Sequence, residues 1–343
     1  MLARHFGPTR IARAASLSSL NHDVFLKIET GLPTGSFKVR GALYALSAKL
    51  SGAALQGRDS AGLKPCATPM KIEVVCASTG NHGAAVAWAA QRLGVRATIF
   101  LPANPNPVKA ARILDLGARI VKAGDDLSAA IDAAEDYASR EAAFFLHDAS
   151  DADVPVGTAT IGAEILEQVP EADAIYVPMG DTALIRGVAS AVRQAKPSIR
   201  VIGVVAENAP AYLLSWRRAE QAPPLRRRSE QAPPLQDVDT AVVETATCDT
   251  IADGLAIRRP LAPNVAAIRE LVDEVVAVTE DEMIAAIQHL FAREQVLAEP
   301  AGAAATAAFL RAGRQPSAAP RQTVLLVTGG NIAPELRPTE AAR

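Results

Sequence analysis

Between Asp23 and Glu29 the chain alternates, with Val24, Leu26 and Ile28 on one side of a strand. The spacing then changes: Val39, Leu43, Leu46 and Leu50 recur at helical intervals, which predicts a helix beginning close to Lys38. From residue 72 onward, short apolar runs and helical patterns take turns. Runs 74–76, 97–101, 119–123 and 143–147 read as strands, separated by helices from about 83, from about 108 and near 127–139. The rhythm restarts after residue 157 with helix 158–167, strand 174–177, helix 184–194, strand 201–205, strand 274–278, helix 281–293 and strand 323–327. Such repetition implies an α/β protein whose parallel sheets are covered by helices on both faces. Two such stretches predict two open lobes, which bind ligands beyond the carboxyl ends of their strands.

Two segments interrupt the rhythm. Residues 51–69, with their glycines and charges, read as an exposed loop. Arg217-Arg-Ala-Glu-Gln-Ala-Pro-Pro-Leu225 recurs almost unchanged as Arg227-Arg-Ser-Glu-Gln-Ala-Pro-Pro-Leu235, and two short copies with paired prolines cannot bury a core. Residues 217–236 are therefore expected as a mobile surface insertion.

Composition narrows the partners. A chain of 343 residues exceeds the usual limit for one core. A net charge of -2, with 4% aromatic residues, gives no electrostatic or stacking case for nucleic acid or a membrane surface, which leaves small polar ligands. Cys66, Cys76 and Cys248 form no CxxC, which fits buried thiols in a reducing, cytoplasmic setting and neither a disulfide framework nor a zinc site. The longest apolar run, 301–310, is too short to span a membrane. Residues 1–22 hold Arg4, Arg10 and Arg13 with no acid, a composition shared with organellar transit peptides, but no cleavage site is marked and no apolar stretch follows as in a secretory signal.

The candidate chemistry sits at strand ends. Lys38 near a helix start faces the partial positive charge of that terminus, and burial would add to it, so both favour the neutral amine that attacks an aldehyde. The same spacing is also that of an exposed lysine at a helix start. Cys76-Ala-Ser-Thr-Gly-Asn-His-Gly83 feeds a helix and offers backbone N–H groups to a carboxylate or phosphate. Pro178-Met-Gly-Asp-Thr-Ala-Leu184 occupies the same kind of position, where Gly180 and the Thr182 hydroxyl could hold a phosphate. Leu326-Val-Thr-Gly-Gly-Asn331 presents Thr328 as a neutral hydroxyl, with glycines that allow close approach. Neither G-x-G-x-x-G nor G-x-x-x-x-G-K-[ST] occurs, so dinucleotide and P-loop readings lose their main support.

Taken together, Ser36-Phe-Lys-Val-Arg-Gly-Ala42, Ser78-Thr-Gly-Asn-His82, Thr250-Ile-Ala-Asp-Gly254, Glu299-Pro-Ala-Gly302 and Thr328-Gly-Gly-Asn331 follow the order found in fold-type II pyridoxal-phosphate enzymes. The chain resembles their threonine/serine dehydratase group, which includes serine racemase. This resemblance implies two open three-layer αβα lobes with mostly parallel twisted sheets, of the tryptophan synthase β kind. A large cofactor-binding domain would comprise 1–72 and 151–343, and a small mobile domain 73–150. It also implies pyridoxal 5'-phosphate bound covalently to Lys38 beside Phe37. Asn81 would bond the ring oxygen, Gly180, Asp181, Thr182, Ala183 and Leu184 the phosphate, and Thr328 would face the ring nitrogen. Ser78, Thr79, Gly80, Asn81 and His82 would hold the carboxylate of a small amino-acid substrate. The implied activity is α,β-elimination from a β-hydroxy amino acid such as L-threonine or L-serine, giving a 2-keto acid and ammonia, in a homodimer.

The chain departs from the group's pattern in three places. Its phosphate loop, usually a run of glycines, carries Asp181, whose charge repels a phosphate unless it points away. The serine with which racemases of the group deliver a proton is here Thr79. Their metal-binding acids fall by spacing on Val205 and Ala211, which cannot coordinate a cation, so no metal is expected. Racemisation therefore ranks below elimination. β-Replacement, a threonine synthase-type reaction and a non-catalytic relative are the other readings. Little chain follows Thr328, so no C-terminal regulatory domain is expected.

Overall fold

The alternation around Val24 is built as strand β2, His22–Ile28, in a computed structural model that describes residues 2–56, 72–78, 80–105, 107–221, 241–313 and 321–339. Val24 and Leu26 enter the core as the pattern requires. Lys27, on the opposite face, is buried too. Its ammonium donates to Glu164 at 2.6 Å, Gln168 at 2.7 Å and the Thr9 carbonyl at 3.0 Å, and a buried charge persists only with partners of this kind.

β2 belongs to a six-stranded sheet ordered β1-β2-β10-β7-β8-β9. Its other strands are β1 (Ile11–Arg13), β7 (Ala174–Pro178), β8 (Arg200–Ala206), β9 (Glu274–Val278) and β10 (Arg321–Val327). β1 runs antiparallel to β2, and each other neighbouring pair is parallel. Successive residues of a strand face opposite ways, so β8 shows what covers each face. Val204 joins an apolar cluster with Ala303, Ala304 and Ala307 of the helix Pro300–Ala312. Gly203 instead points at Ile185 of α6, Ala183–Ala195.

A four-stranded parallel sheet has the order β5-β4-β3-β6, from β3 (Glu73–Ala77), β4 (Arg96–Leu101), β5 (Arg119–Lys122) and β6 (Phe144–Phe145). Val75 and Phe100 pack on Ala130, Ala134 and Ala138 of α4, Leu127–Glu141, whose alanines at four-residue spacing let the helix lie close. Ile99, on the other face, meets Gly83 of α2, Asn81–Leu93. Both sheets thus carry helices on both faces, which is the α/β arrangement expected.

The chain divides into two compact units, Met1–Gly7 with Leu32–Thr158, and Pro8–Gly31 with Ala159–Arg343. Helix α1, Lys38–Gln56, falls in the first because it packs on α2. There it also meets the start of α5, Asp153–Gln168: a Cβ on Gly157 would overlap the Arg40 carbonyl oxygen, and one on Gly41 would lie 2.7 Å from Val154 Cγ1. Glycine at 41 and 157 is what lets the two helices approach.

Some expectations are corrected. α1 runs on to Gln56, into the stretch read as a loop, because Ala53, Ala54 and Leu55 are strong helix formers; residues 57–69 lie outside the described residues. The repeat was expected as a surface insertion from residue 217, but Arg217–Gln221 are the last turn of helix α7, Ala211–Gln221. Residues 222–236 lie outside the described residues. Near the start, where no expectation is overturned, Arg13 ends strand β1, and Ala14 and Leu17 after it lie in the core.

Candidate active site

In the first unit, Lys38 is the first residue of α1, and its Nζ lies 2.6 Å from Asp148 Oδ2 and 5.5 Å from the centre of the Phe37 ring. A helix start disfavours a cation, and here a carboxylate from the turn after β6 offsets that effect. The same Asp148 oxygen is 3.7 Å from His82 Nδ1. His82 Nε2 lies 3.1 Å from the Leu146 carbonyl, which can only accept, so Nε2 carries the proton. Burial, and then Asp148, push the Cys76 thiol well above its usual range, which makes it unreactive. Arg40 is buried with its guanidinium 5.6 Å from the Phe6 ring centre, which gives the motif's arginine a packing role. Ser36 Oγ is buried and has no hydrogen-bond partner.

The expected carboxylate turn runs from β3 into α2. Ser78 Oγ accepts from the Gly80 N–H at 2.9 Å and so shapes the turn. α2 begins at Asn81, and no side chain caps it at Gly80, which leaves a helix N-terminus suited to an anion. A Cβ on Gly83 would lie 2.8 Å from Ile99 Cγ2, so glycine here seats the helix on the sheet. Thr79 lies outside the described residues.

The second unit holds the other motifs. Gly180–Leu184 leads from β7 into α6, with Thr182 as the N-cap at φ 74°, a left-handed conformation unusual for threonine. Thr182 is 1% exposed, and its Oγ1 has no hydrogen-bond partner. Asp181 turns back on the helix start, where Oδ1 accepts from the Ala183 N–H at 2.8 Å. One turn on, burial lowers the Arg186 guanidinium from its usual range while Asp181 and Tyr212 oppose that shift. Asn264 ties this corner together, donating to the Asp181 carbonyl and to the Tyr212 hydroxyl, each at 3.3 Å. The Asp181 charge is thus met by a helix N-terminus and a neighbouring guanidinium.

Close backbone contacts join this loop to the remaining motifs. A Cβ on Gly180 would overlap the Gly254 carbonyl oxygen, and one on Gly254 would lie 3.1 Å from Ala301 Cβ. A Cβ on Gly302 would overlap the Gly329 carbonyl oxygen, which accepts from the Glu299 N–H at 3.0 Å. Thr328, 4% exposed, stands in this packed corner directly after β10. Stretches 180–184, 250–254, 299–302 and 328–331, dispersed in sequence, are therefore neighbours in the fold.

Each unit holds groups of the kind pyridoxal phosphate needs. In the first unit Lys38 offers an amine at a helix start and Ser36 Oγ is a buried hydroxyl with unused hydrogen-bonding capacity; in the second Thr182 Oγ1 is another such hydroxyl, and α6 presents its N-terminus at the 180–184 turn. The sequence reading missed Asp148 and Arg186. Asp148 follows a predicted strand, the position shared by the motifs at 78–82, 180–184 and 328–331, and that signal could have found it; Arg186 lies one helical turn beyond the loop.

Comparison with known proteins agrees with this chemistry. The family model described as "Pyridoxal-phosphate dependent enzyme" matches residues 2–329. A relative from Geobacter sulfurreducens named L-threonine ammonia-lyase is 34% identical over 309 residues, covering 90% of this chain and 67% of its own length. Among solved structures, the processed form of threonine deaminase isoform 2 from Solanum lycopersicum is 26% identical with a TM-score of 0.78, over 96% of this chain and 80% of its own. Maize serine racemase is likewise 26% identical with a TM-score of 0.78, over 97% of this chain and 91% of its own. With its lysine at a helix start, and a family match that spans nearly all of it, the chain belongs to the pyridoxal-phosphate dependent enzyme family.

Proposed function

We propose that this protein is a pyridoxal-phosphate-dependent ammonia-lyase that converts a small β-hydroxy amino acid such as L-threonine or L-serine to a 2-keto acid and ammonia. The observation that carries the reading is the position of Lys38 as the first residue of α1, in a chain 34% identical to a protein named L-threonine ammonia-lyase.

When bound, the cofactor supplies an aldehyde that captures amines and a ring that spreads the negative charge left at the substrate Cα. Lys38 would hold it covalently, with Phe37 alongside. Displaced by the substrate amine, Lys38 would take the Cα proton at Nζ, so one side chain serves as handle and base. The α2 start, with Ser78, Thr79, Gly80, Asn81 and His82, would orient the substrate carboxylate, and Asn81 would also bond the ring oxygen. Gly180, Asp181, Thr182, Ala183 and Leu184 would hold the phosphate, with Thr182 Oγ1 as a donor. Thr328 would offer the ring nitrogen a neutral hydroxyl, which does not stabilise a protonated ring as a carboxylate would. Loss of the β-hydroxyl then completes elimination, and water releases ammonia from the product.

The domain reading, 1–72 with 151–343 as the cofactor-binding domain and 73–150 as the small mobile one, belongs to the same proposal. The four-stranded sheet, whose strands all come from 73–145, supports the small domain, whereas the division into compact units groups residues 32–72 with that sheet. Cytoplasmic location and a homodimer complete it. The buried, unreactive Cys76 suits a reducing compartment.

Racemisation is the second reading, favoured by the likeness to maize serine racemase. Val205 and Ala211, both buried and apolar, weigh against the metal-activated form of that reaction. The test is a keto-acid assay of the purified protein with serine, threonine, 3-hydroxyaspartate and phenylserine, with and without a thiol or phosphohomoserine, alongside chiral analysis of recovered substrate. Keto-acid release from threonine or serine supports the proposal. Product that requires the second substrate indicates replacement, D-amino acid outpacing keto acid indicates racemisation, and no turnover indicates a non-catalytic relative.

A further inference from the structure

We propose that Asp148 is a positioning residue for Lys38, holding its Nζ and taking up the proton that the ammonium must lose before the amine can react; this rests on the reading of Lys38 as the cofactor's covalent anchor. An ammonium has no lone pair, so attack on a carbonyl needs the free base. The Lys38 and Asp148 side chains are 13% and 20% exposed, and their 2.6 Å contact lies along a hydrogen bond. Transfer along it breaks one N–H bond and forms one O–H bond, which turns the ion pair into a neutral amine and a neutral acid with no further reactant.

The surroundings of Asp148 support this use. His82 donates its Nε2 proton to the Leu146 carbonyl, and its Nδ1 lies 3.7 Å from the same Asp148 oxygen, near enough to take the proton on when the ring is neutral. Cys76, a further titratable group that Asp148 affects, is buried on β3 with its thiol proton tightly held. The turn carrying Asp148 is also fixed in place. His147 Nδ1 accepts from the Ala149 N–H at 3.2 Å and the Ser150 N–H at 3.3 Å, and the Asp151 carboxylate pairs with Lys49 at 2.6 Å. Lys49 lies on α1, the helix that Lys38 begins. The turn is therefore tied to that helix independently of the Lys38–Asp148 contact.

The test uses the full-length protein freed of cofactor and mixed rapidly with pyridoxal phosphate, with the absorbance of the lysine-bound chromophore followed in time. Wild type is compared with Asp148→Ala, Asp148→Asn, Asp148→Glu and Lys38→Ala, and thermal unfolding of each is recorded. Capture is expected to slow about a hundredfold in Asp148→Ala and Asp148→Asn, the scale of a lost acid–base group. Asp148→Glu should recover part of the rate, and added formate should speed Asp148→Ala, since a small carboxylate can replace the missing one. Capture at the wild-type rate in Asp148→Asn would overturn the proposal, as would a slow Asp148→Ala indifferent to formate. A Lys38→Ala protein that captures cofactor as wild type does would instead refute the underlying reading of Lys38.

Discussion

Gly180 and Gly254 stand so close that a side chain on Gly180 would occupy the position of the Gly254 carbonyl oxygen. The obstacle is backbone, which cannot swing away as a long side chain can. Gly180→Ala is therefore expected to destabilise the fold by about 1–3 kcal/mol, as overpacking does, and to weaken cofactor binding. Thermal unfolding and cofactor titration measure the two effects. Unchanged values in both would show that the 180–184 turn and the 250–254 stretch are not locked together.

Thr182 separates backbone from side-chain chemistry. Its φ of 74° is one that glycine adopts without cost and threonine does not. Thr182→Gly should therefore raise the stability of the cofactor-free protein, by about 1 kcal/mol, while weakening cofactor binding through loss of Oγ1. Thr182→Ser should keep the binding. If Thr182→Gly binds pyridoxal phosphate as tightly as wild type, the hydroxyl is not a phosphate ligand.

Lys27 tests the core beneath the six-stranded sheet. Removing its charge while leaving Glu164 in place strands a carboxylate that is itself only 12% exposed. Lys27→Met should cost about 3–5 kcal/mol, read by chemical denaturation, and the added change Glu164→Gln should recover part of it. Equal stability of the single and double variants would mean that the pair contributes little.

How far these features could be read from the sequence depends on whether each leaves a period or a local signature. The strands around Val75, Ile99, Val204 and Val327 show as apolar runs because both faces of each sheet are covered. Lys38 falls at a helix start because its motif follows an alternating strand and precedes helical spacing. The helix Pro300–Ala312 left no helical period: it is buried from Pro300 to Phe309, has no polar face along that stretch, and reads only as an apolar run. β1, with three residues, is too short for an alternation to register. Lys27 and Asp148 escaped for another reason, since their roles are set by Glu164 and Lys38, which lie 137 and 110 positions away along the chain. The packing of Gly180 on Gly254 is equally non-local, although the motifs themselves marked both glycines.

The central claim is that Lys38 carries the cofactor, and one measurement addresses it directly. The purified protein is loaded with pyridoxal phosphate and reduced with borohydride to fix any link between cofactor and lysine, then digested and analysed by peptide mass spectrometry. The predicted result is a phosphopyridoxyl group on the peptide containing Lys38, at that residue and at near-unit occupancy. A label at another lysine, or none at all in protein shown to be folded, would contradict it.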